Sequence, residues 1–205
     1  MAGPYTGRAS IPGLPGPRPS KLQCIAIALL FLIIVVGLII LIFWLIVRPT
    51  SIDYTVEHAA IQKFNISSAN ELDAAFNLTL RAINPNRKVS VYYDDVKISV
   101  WYDNQMIALT ETSPFFQPHR NITRLDIKAV TNSTQLQDQV AKDLQHDKSS
   151  GHIGLEVRVR ARIRFKVGVV KSKHYKLRAY CTPVNVGFAP NSATSFNRVY
   201  CDVEI

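Results

Sequence analysis

The stretch GLEVRVRARIRFKVGVV, residues 154–170, alternates apolar and charged side chains with a period of two. Its odd-numbered positions from 155 onwards are all apolar: Leu155, Val157, Val159, Ala161, Ile163, Phe165, Val167 and Val169. Its even-numbered positions from 158 to 166 are all cationic: Arg158, Arg160, Arg162, Arg164 and Lys166. Successive side chains of a strand point to opposite faces, so the pattern predicts a long strand with one buried face and one basic face.

Two interpretations of the basic face of residues 156–166 remain open from the sequence. The cations can keep the outer face of a sheet solvated and discourage pairing at its edge. Alternatively, cations about 6.6 Å apart along a strand form a stripe that binds anionic lipid headgroups or an acidic polysaccharide. Nucleic acid is not expected as a partner, because no set of stacking aromatic residues accompanies the stripe.

The same period of two recurs through most of the chain after residue 48. In residues 72–82 the even positions are apolar, whereas Asp73, Asn77, Thr79 and Arg81 share the other face. Comparable alternation marks residues 96–102, 124–130, 174–181 and 198–205. Seven or eight strands separated by turn signals predict a mainly β protein, with an antiparallel sandwich of the fibronectin III or immunoglobulin type.

One short helix is predicted inside this β-rich region. Leu136, Val140 and Leu144 recur at a spacing of four, which places them on one face of a helix. Ser133 or Thr134 is the expected N-cap, and Gly151 is expected to end the helical region.

Residues 22–47, LQCIAIALLFLIIVVGLIILIFWLIV, contain no charged side chain. As a helix this segment is about 39 Å long, which exceeds the ~30 Å hydrocarbon core of a bilayer. A buried core helix of this length without a polar face is unusual, and the apolar region of a cleaved signal peptide has only about 7 to 15 residues. The segment is therefore predicted to be a transmembrane helix that is retained as an anchor, with Trp44 near the interface.

The charges on either side of this helix predict its orientation. Residues 1–21 contain three cations and no acid, whereas Asp53 and Glu57 follow Arg48 on the other side. The positive-inside rule then places a disordered, Pro- and Gly-rich tail of residues 1–21 in the cytosol and the domain of residues 48–205 outside it.

Four N-glycosylation sequons agree with this topology, because all of them lie after residue 48. Their asparagines are Asn65, Asn77, Asn121 and Asn132. A glycan requires both a lumenal compartment and a surface position, and Asn77 lies on the polar face of its predicted strand.

The three cysteines have different predicted roles. Cys181 and Cys201 lie on the apolar faces of their strands, which favours a disulfide in an oxidising compartment, although two buried free thiols would show the same parity. Cys24 lies at the cytosolic end of the apolar segment, where it is either an S-acylation site or a passive thiol.

No motif for catalysis, a cofactor or a metal ion is found in the sequence. It lacks a G-x-S-x-G elbow, a glycine-rich phosphate loop and H-E-x-x-H, and its five histidines are scattered. Asp94 and Asp95 point to opposite faces of an extended strand, unlike an acid–base pair. We therefore expect a protein that is not an enzyme and has no cofactor.

Three stretches in combination resemble a plant protein family. They are AFNLTLRAINPNRKVSVYYDDVKISVWYDNQ at 75–105, SPFFQPHRNIT at 113–123 and the closing pattern of Tyr-Cys at 180–181 and 200–201. The family is that of the harpin-induced and non-race-specific-disease-resistance-like membrane proteins, in the second late-embryogenesis-abundant group with its water-stress and hypersensitive-response domain. Phe116 and Pro118 depart from the tyrosine and glycine that are common there.

The resemblance implies a function in plant defence, including the hypersensitive response, and in abiotic stress, and it supplies no catalytic residue. The leading hypothesis is a non-enzymatic protein with a single membrane span and an extracytosolic binding domain. The alternative is a module that adheres to the wall or to anionic lipid through the basic strand 156–166. Expected partners are the bilayer and a wall polysaccharide, an anionic lipid or a membrane protein. The expected location is the plasma membrane or plasmodesmata, with the endoplasmic reticulum as a further option.

Overall fold

The computed structural model of the chain describes residues 21–47, 50–188 and 196–205. Apart from Lys21, the predicted tail lies outside the described residues. The chain divides near residue 46 into two compact units, the first with the N-terminal helix and the second with all the strands.

Helix α1, Lys21–Val47, is long and apolar enough to cross a membrane. None of its segment Lys21–Ile42 is buried, which distinguishes it from the core helix of a soluble protein. The length and composition therefore indicate a membrane anchor, although a signal sequence near an N-terminus has the same properties.

The described residues of the second unit form ten strands and one helix, and every strand pairing among them is antiparallel. In chain order the elements are β1 Asp53–Ile66, β2 Glu71–Asn84, β3 Val89–Tyr102, β4 Gln105–Thr112, β5 Phe115–Gln117, β6 Asn121–Gln135, α2 Asp138–Ser150, β7 His152–Val167, β8 Val170–Lys171, β9 Tyr175–Gly187 and β10 Val199–Glu204. The strand order is β4-β3-β7-β9-β10-β1-β2-β6, with β5 on β3 and β8 on β7.

Strand β10 connects the two halves of this sheet. Its first residues, Val199–Cys201, pair with β1, and its last residues, Asp202–Glu204, pair with β9. The inner faces of β3, β7 and β9 and of β1, β2 and β6 contribute to one hydrophobic core. The predicted mainly β, antiparallel, sandwich-like fold is confirmed.

The predicted apolar faces form this core. In β2 the even-numbered side chains from Leu72 to Ala82 are all buried, and in β7 the odd-numbered ones from Ile153 to Ile163 are buried. The face predicted to reach Val169 is too long, because β7 ends at Val167 and Gly168 adopts a φ of +57° in the turn to β8. Val169 lies at the tip of this hairpin and is 96% exposed.

Helix α2 begins later than predicted. Ser133 and Thr134 belong to β6, which stays paired with β2 as far as Gln135, and the N-cap is Gln137. The sheet hydrogen bonds thus outweigh the capping preference of the hydroxyl residues. Val140 and Leu144 lie on the buried face of the helix as predicted, whereas Leu136 is buried but precedes the N-cap. Gly151 ends the helix in the left-handed conformation, as its position suggests.

Candidate anion-binding face

The cations of β7 lie in the middle of a wider basic surface, because both neighbouring strands add to it. Arg160 lies between Lys97 of β3 and Arg178 of β9, and Arg162 lies between Asp95 of β3 and Lys176 of β9. We call this surface the cationic face. Its positively charged residues are Lys97, Arg158, Arg160, Arg162, Arg164, Lys166, Lys176 and Arg178.

Arg158, towards the start of β7, is fully engaged within the fold. Its Nε donates to Glu156 Oε1 at 2.7 Å, and a terminal nitrogen donates to Oε2 of the same carboxylate at 3.0 Å. Its guanidinium carbon also lies 4.0 Å from the centre of the Trp101 ring, which is the geometry of a cation–π contact. Arg158 is therefore not available as a free cation.

Arg164 is engaged in the same way by Asp94. Its Nε donates to Asp94 Oδ2 at 2.7 Å, and the second carboxylate oxygen accepts from a terminal nitrogen. The Arg164 guanidinium lowers the pKa of the Asp94 carboxyl below its ordinary value. Lys97 is likewise paired with Glu111 of β4 at 2.8 Å.

The prediction that Asp94 and Asp95 point to opposite faces is wrong. The register of β3 on β7 shifts between Tyr93 and Asp95, so Asp94 occupies a β-bulge. The extra residue brings both carboxylates to the cationic face, where Asp94 binds Arg164 and Asp95 lies opposite Arg162. Neither arrangement resembles an acid–base pair, because each carboxylate faces arginine.

Four cations at the centre of the face make no salt bridge with any described residue: Arg160, Arg162, Lys176 and Arg178. They line a shallow depression of about 350 Å³ together with Lys97, Tyr180 and Asp95. Asp95 is the one acid in this lining among the described residues. Two of the four cations lie on β7 and two on β9. The two cations of one strand are about 6.6 Å apart along it, and the two strands are about 4.8 Å apart. This array suits a ligand with repeated negative charges.

The sequence prediction covered β7 alone and missed Lys176 and Arg178. The alternation of YKLRAYC at 175–181 places both cations on a polar face, which was a usable signal. The missing information is that β9 pairs with β7 in this register. Sequence spacing alone does not reveal the lateral neighbours of a strand.

The Asn-Pro-Asn turn between β2 and β3 is a structural junction rather than a ligand site. The Asn84 side chain is buried and donates to Val89 O and to Pro118 O, each at 2.9 Å. Asn86 is also buried, and its Nδ2 donates to Thr50 O at 2.8 Å while its Oδ1 accepts from Thr50 N at 2.8 Å. The turn therefore fixes Thr50, three residues before β1, to the sheet.

None of the four predicted glycan attachment sites is buried. Asn65, Asn77 and Asn132 lie on the outer face of β1, β2 and β6, and Asn121 begins β6 with a partly exposed side chain. This outer face belongs to the opposite layer from the cationic face, since the inner faces of both layers meet in the core. Glycans at Asn65, Asn77 and Asn132 would leave the cationic face uncovered.

The structure contains a disulfide between Cys181 and Cys201, with their Cα atoms 4.2 Å apart. It joins β9 to β10 at the residue where β10 changes its partner strand. Cys24 is a free, exposed thiol on α1. The described ranges contain no group of three or more histidine, cysteine or acidic side chains that could hold a metal ion.

The fold and surface define a class of protein: a β-sandwich with a basic outer face, preceded by a helix of membrane-spanning length. The family model described as late embryogenesis abundant protein matches residues 79–181. An uncharacterised protein of Arabidopsis thaliana is 37% identical over 94% of this chain and 87% of its own length. NDR1/HIN1-like protein 3 of the same plant is 32% identical, over 86% of this chain and 78% of its own length.

NDR1/HIN1-like protein 2 of Arabidopsis thaliana is 30% identical over 80% of this chain and 70% of its own length. The chain therefore belongs to the late embryogenesis abundant family and, within it, to the NDR1/HIN1-like proteins. Among solved structures, a protein from Archaeoglobus fulgidus matches with a TM-score of 0.30 at 11% identity, over 62% of this chain and 96% of its own length. A protein from Arabidopsis thaliana matches with a TM-score of 0.33 at 12% identity, over 70% of this chain and 90% of its own length.

Proposed function

We propose that this protein is a membrane-anchored, non-enzymatic component of plant defence and stress responses, with its β-sandwich outside the cytosol. The NDR1/HIN1-like relatives and the late embryogenesis abundant family support the biological setting. The apolar helix α1 supports the anchor. The sandwich binds an acidic polysaccharide through the cationic face, and the cluster of Arg160, Arg162, Lys176 and Arg178 is the observation that carries this proposal.

The pairing of like charges across β7 and β9 argues that the cluster has a purpose beyond solvation. Arg160 faces Arg178 and Arg162 faces Lys176, and like charges directly opposite one another destabilise a sheet. Elsewhere on the same face two arginines are neutralised, Arg158 by Glu156 and Arg164 by Asp94. An anionic ligand would relieve the repulsion at the centre, where Asp95 lies opposite Arg162 and Glu204 lies opposite Arg178. Neither acid forms a salt bridge with a described residue.

The shape of the depression favours an extended polymer over a compact anion. The four cations lie side by side on two long strands, so the positive charge is spread over a surface rather than converging on one point. A polyuronate presents one carboxylate per sugar, which allows several charge-assisted hydrogen bonds at once. Tyr180 at the edge of the depression offers an aromatic ring against which a sugar can pack.

The test compares the full chain in nanodiscs with a quadruple variant, Arg160→Gln, Arg162→Gln, Lys176→Gln and Arg178→Gln, for binding to immobilised polygalacturonate. We expect the variant to lose at least tenfold in affinity, with a weaker salt dependence because fewer counterions are released. The matched control removes the same charge from exposed positions elsewhere: Lys63→Gln, Arg124→Gln, Lys128→Gln and Lys142→Gln.

Equal losses in the two quadruple variants would show that only net charge matters, and the assigned face would be wrong. No binding of the unmodified protein would overturn the polysaccharide as ligand. If both quadruple variants kept their affinity for polygalacturonate, the binding site would lie on another surface.

A further inference from the structure

We infer that the end of the β-sandwich that carries Thr50 is a docking surface for anionic lipid headgroups, with the tip of the β7–β8 hairpin placed in the membrane interface. This inference rests on the proposed anchoring by α1. It concerns a different part of the fold from the cluster of Arg160, Arg162, Lys176 and Arg178. Of the cationic face, only Lys166 contributes to it. We call the new surface the basal end.

The basal end is near α1 along the chain. Helix α1 ends at Val47, and Thr50 is fixed by two hydrogen bonds of 2.8 Å to the Asn86 side chain. Three residue steps span at most about 11 Å of chain. Only a short length of chain therefore separates α1 from the Asn86 turn.

Basic residues surround the Asn86 turn. Arg87 and Lys88 follow it directly, and Arg120 donates its backbone N–H to Asn86 O at 2.9 Å. A depression of about 480 Å³ opens beside it, lined by Arg87, Lys88, Ser90, His119, Lys166, Val167 and Gly168. This lining, which consists of described residues, contains no acid. Asp53 of β1 and Asp202 and Glu204 of β10 are acids towards the same end. The cations Arg87, Lys88, Arg120, Lys166 and Lys171 outnumber them.

The β7–β8 hairpin extends from the rim of this depression. Val167 pairs with Val89 of β3, so the turn that follows it lies beside Lys88. Val169 and Val170 in the hairpin are 96% and 65% exposed, and Lys166 pairs with Lys171 across its two strands. An exposed apolar tip between lysines costs free energy in water, whereas at a membrane interface the valines leave water and the lysines meet headgroup phosphates.

An anionic membrane fits these features better than a soluble anion does. A free phosphate would satisfy the lysines and Arg87 but would leave Val169 in water. The negative surface potential of an anionic leaflet attracts basic residues. Burying the apolar tip in lipid adds a favourable hydrophobic free energy, which a soluble anion cannot provide.

The test uses the full chain in nanodiscs, with Cys24→Ala as background and the Cys181–Cys201 disulfide left intact. An environment-sensitive fluorophore is attached at Val169→Cys and, as a matched control, at Val130→Cys, which is 46% exposed on the outer face of β6. One set of discs contains phosphatidylcholine alone, and the other adds phosphatidylserine. Lipids that carry a spin label near the headgroup act as quenchers.

We expect a blue-shifted emission and strong quenching at position 169, greater in the anionic discs, with little change at position 130. The additional changes Arg87→Gln and Lys88→Gln should remove the dependence on phosphatidylserine while leaving the fold intact. Inorganic phosphate should not displace the hairpin, since it does not replace the apolar contact.

Equal signals at positions 169 and 130 would overturn the docking surface. Strong quenching at 169 that ignores phosphatidylserine would overturn the role of anionic headgroups. Failure of the protein to enter nanodiscs at all would instead overturn the proposed anchor. Failure to bind polygalacturonate would concern only the cationic face. The failure of this inference can therefore be distinguished from the failure of the proposed function.

Discussion

Gln117 is a fully buried polar side chain that connects three strands. Its Nε2 donates to Ala82 O of β2 at 2.9 Å and to Asn121 O of β6 at 3.3 Å. Its Oε1 accepts from the Tyr93 hydroxyl of β3 at 3.2 Å. Burial raises the pKa of Tyr93 to about 12, so that hydroxyl keeps its proton at neutral pH.

Replacing Gln117 with leucine should lower the free energy of unfolding by about 2 to 3 kcal/mol, because buried polar partners are left without hydrogen bonds. Chemical denaturation of the full chain in detergent measures the change. Gln105→Leu is the matched control, since Gln105 makes two hydrogen bonds at the surface that water can replace. A loss below about 1 kcal/mol at Gln117 would show that the buried bonds contribute little.

For individual side chains, the sequence predicted which ones face solvent but not which charged groups are neutralised by a neighbour. Alternation alone placed Arg158, Arg162 and Arg164 on one face, and the structure agrees. The bond from Arg164 to Asp94 depends on a bulge, and a bulge changes the parity of every residue after it. No pattern in a single strand reports how its neighbour is paired.

Strand β10 is the element on which the closure of the sandwich depends. It has six residues, divides its pairing between β1 and β9, and is joined to β9 by the Cys181–Cys201 disulfide. Few hydrogen bonds hold it on either side. The covalent bond should therefore contribute much of the stability of its attachment.

Changing Cys181 and Cys201 together to alanine should lower the free energy of unfolding by about 3 kcal/mol. This is the chain-entropy contribution of a disulfide that closes a loop of about 20 residues. Hydrogen exchange should rise first in β10 and in the part of β1 that pairs with it, Tyr54–Val56. Cys24→Ala should change neither quantity. Uniform exchange across the sandwich, or an unchanged unfolding free energy, would contradict this role for the disulfide.

Most elements were predictable because their patterns are long. The alternation in β2 and β7 extends over many residues, and the apolar face of α2 was read correctly. The start of α2 was not, because pairing of β6 with β2 continues through Ser133 and Thr134. The division of β10 between two strands is also invisible in six residues of alternating sequence.

The two outer faces of the sandwich differ in chemistry. One carries Asn65, Asn77 and Asn132, and the other carries the cationic face. The sequence predicted both the sequons and the basic strand. Their separation onto opposite layers follows from the sheet order, which brings strands distant in the chain side by side and which no local pattern specifies.

Glycan occupancy tests the proposed topology and this separation together. Protein from plant membranes should gain mobility on treatment with an endoglycosidase, and stepwise changes of Asn65, Asn77, Asn121 and Asn132 to glutamine should remove the shift in steps. Because three of the four asparagines lie on the layer opposite Arg160 and Lys176, enzymatic removal of the glycans should leave the affinity for polygalacturonate within about twofold, a change of about 0.4 kcal/mol. Absence of any shift would contradict an extracytosolic sandwich. A shift accompanied by a large gain in polygalacturonate affinity would show that sugars cover the cationic face, and the assignment of separate faces would then be wrong.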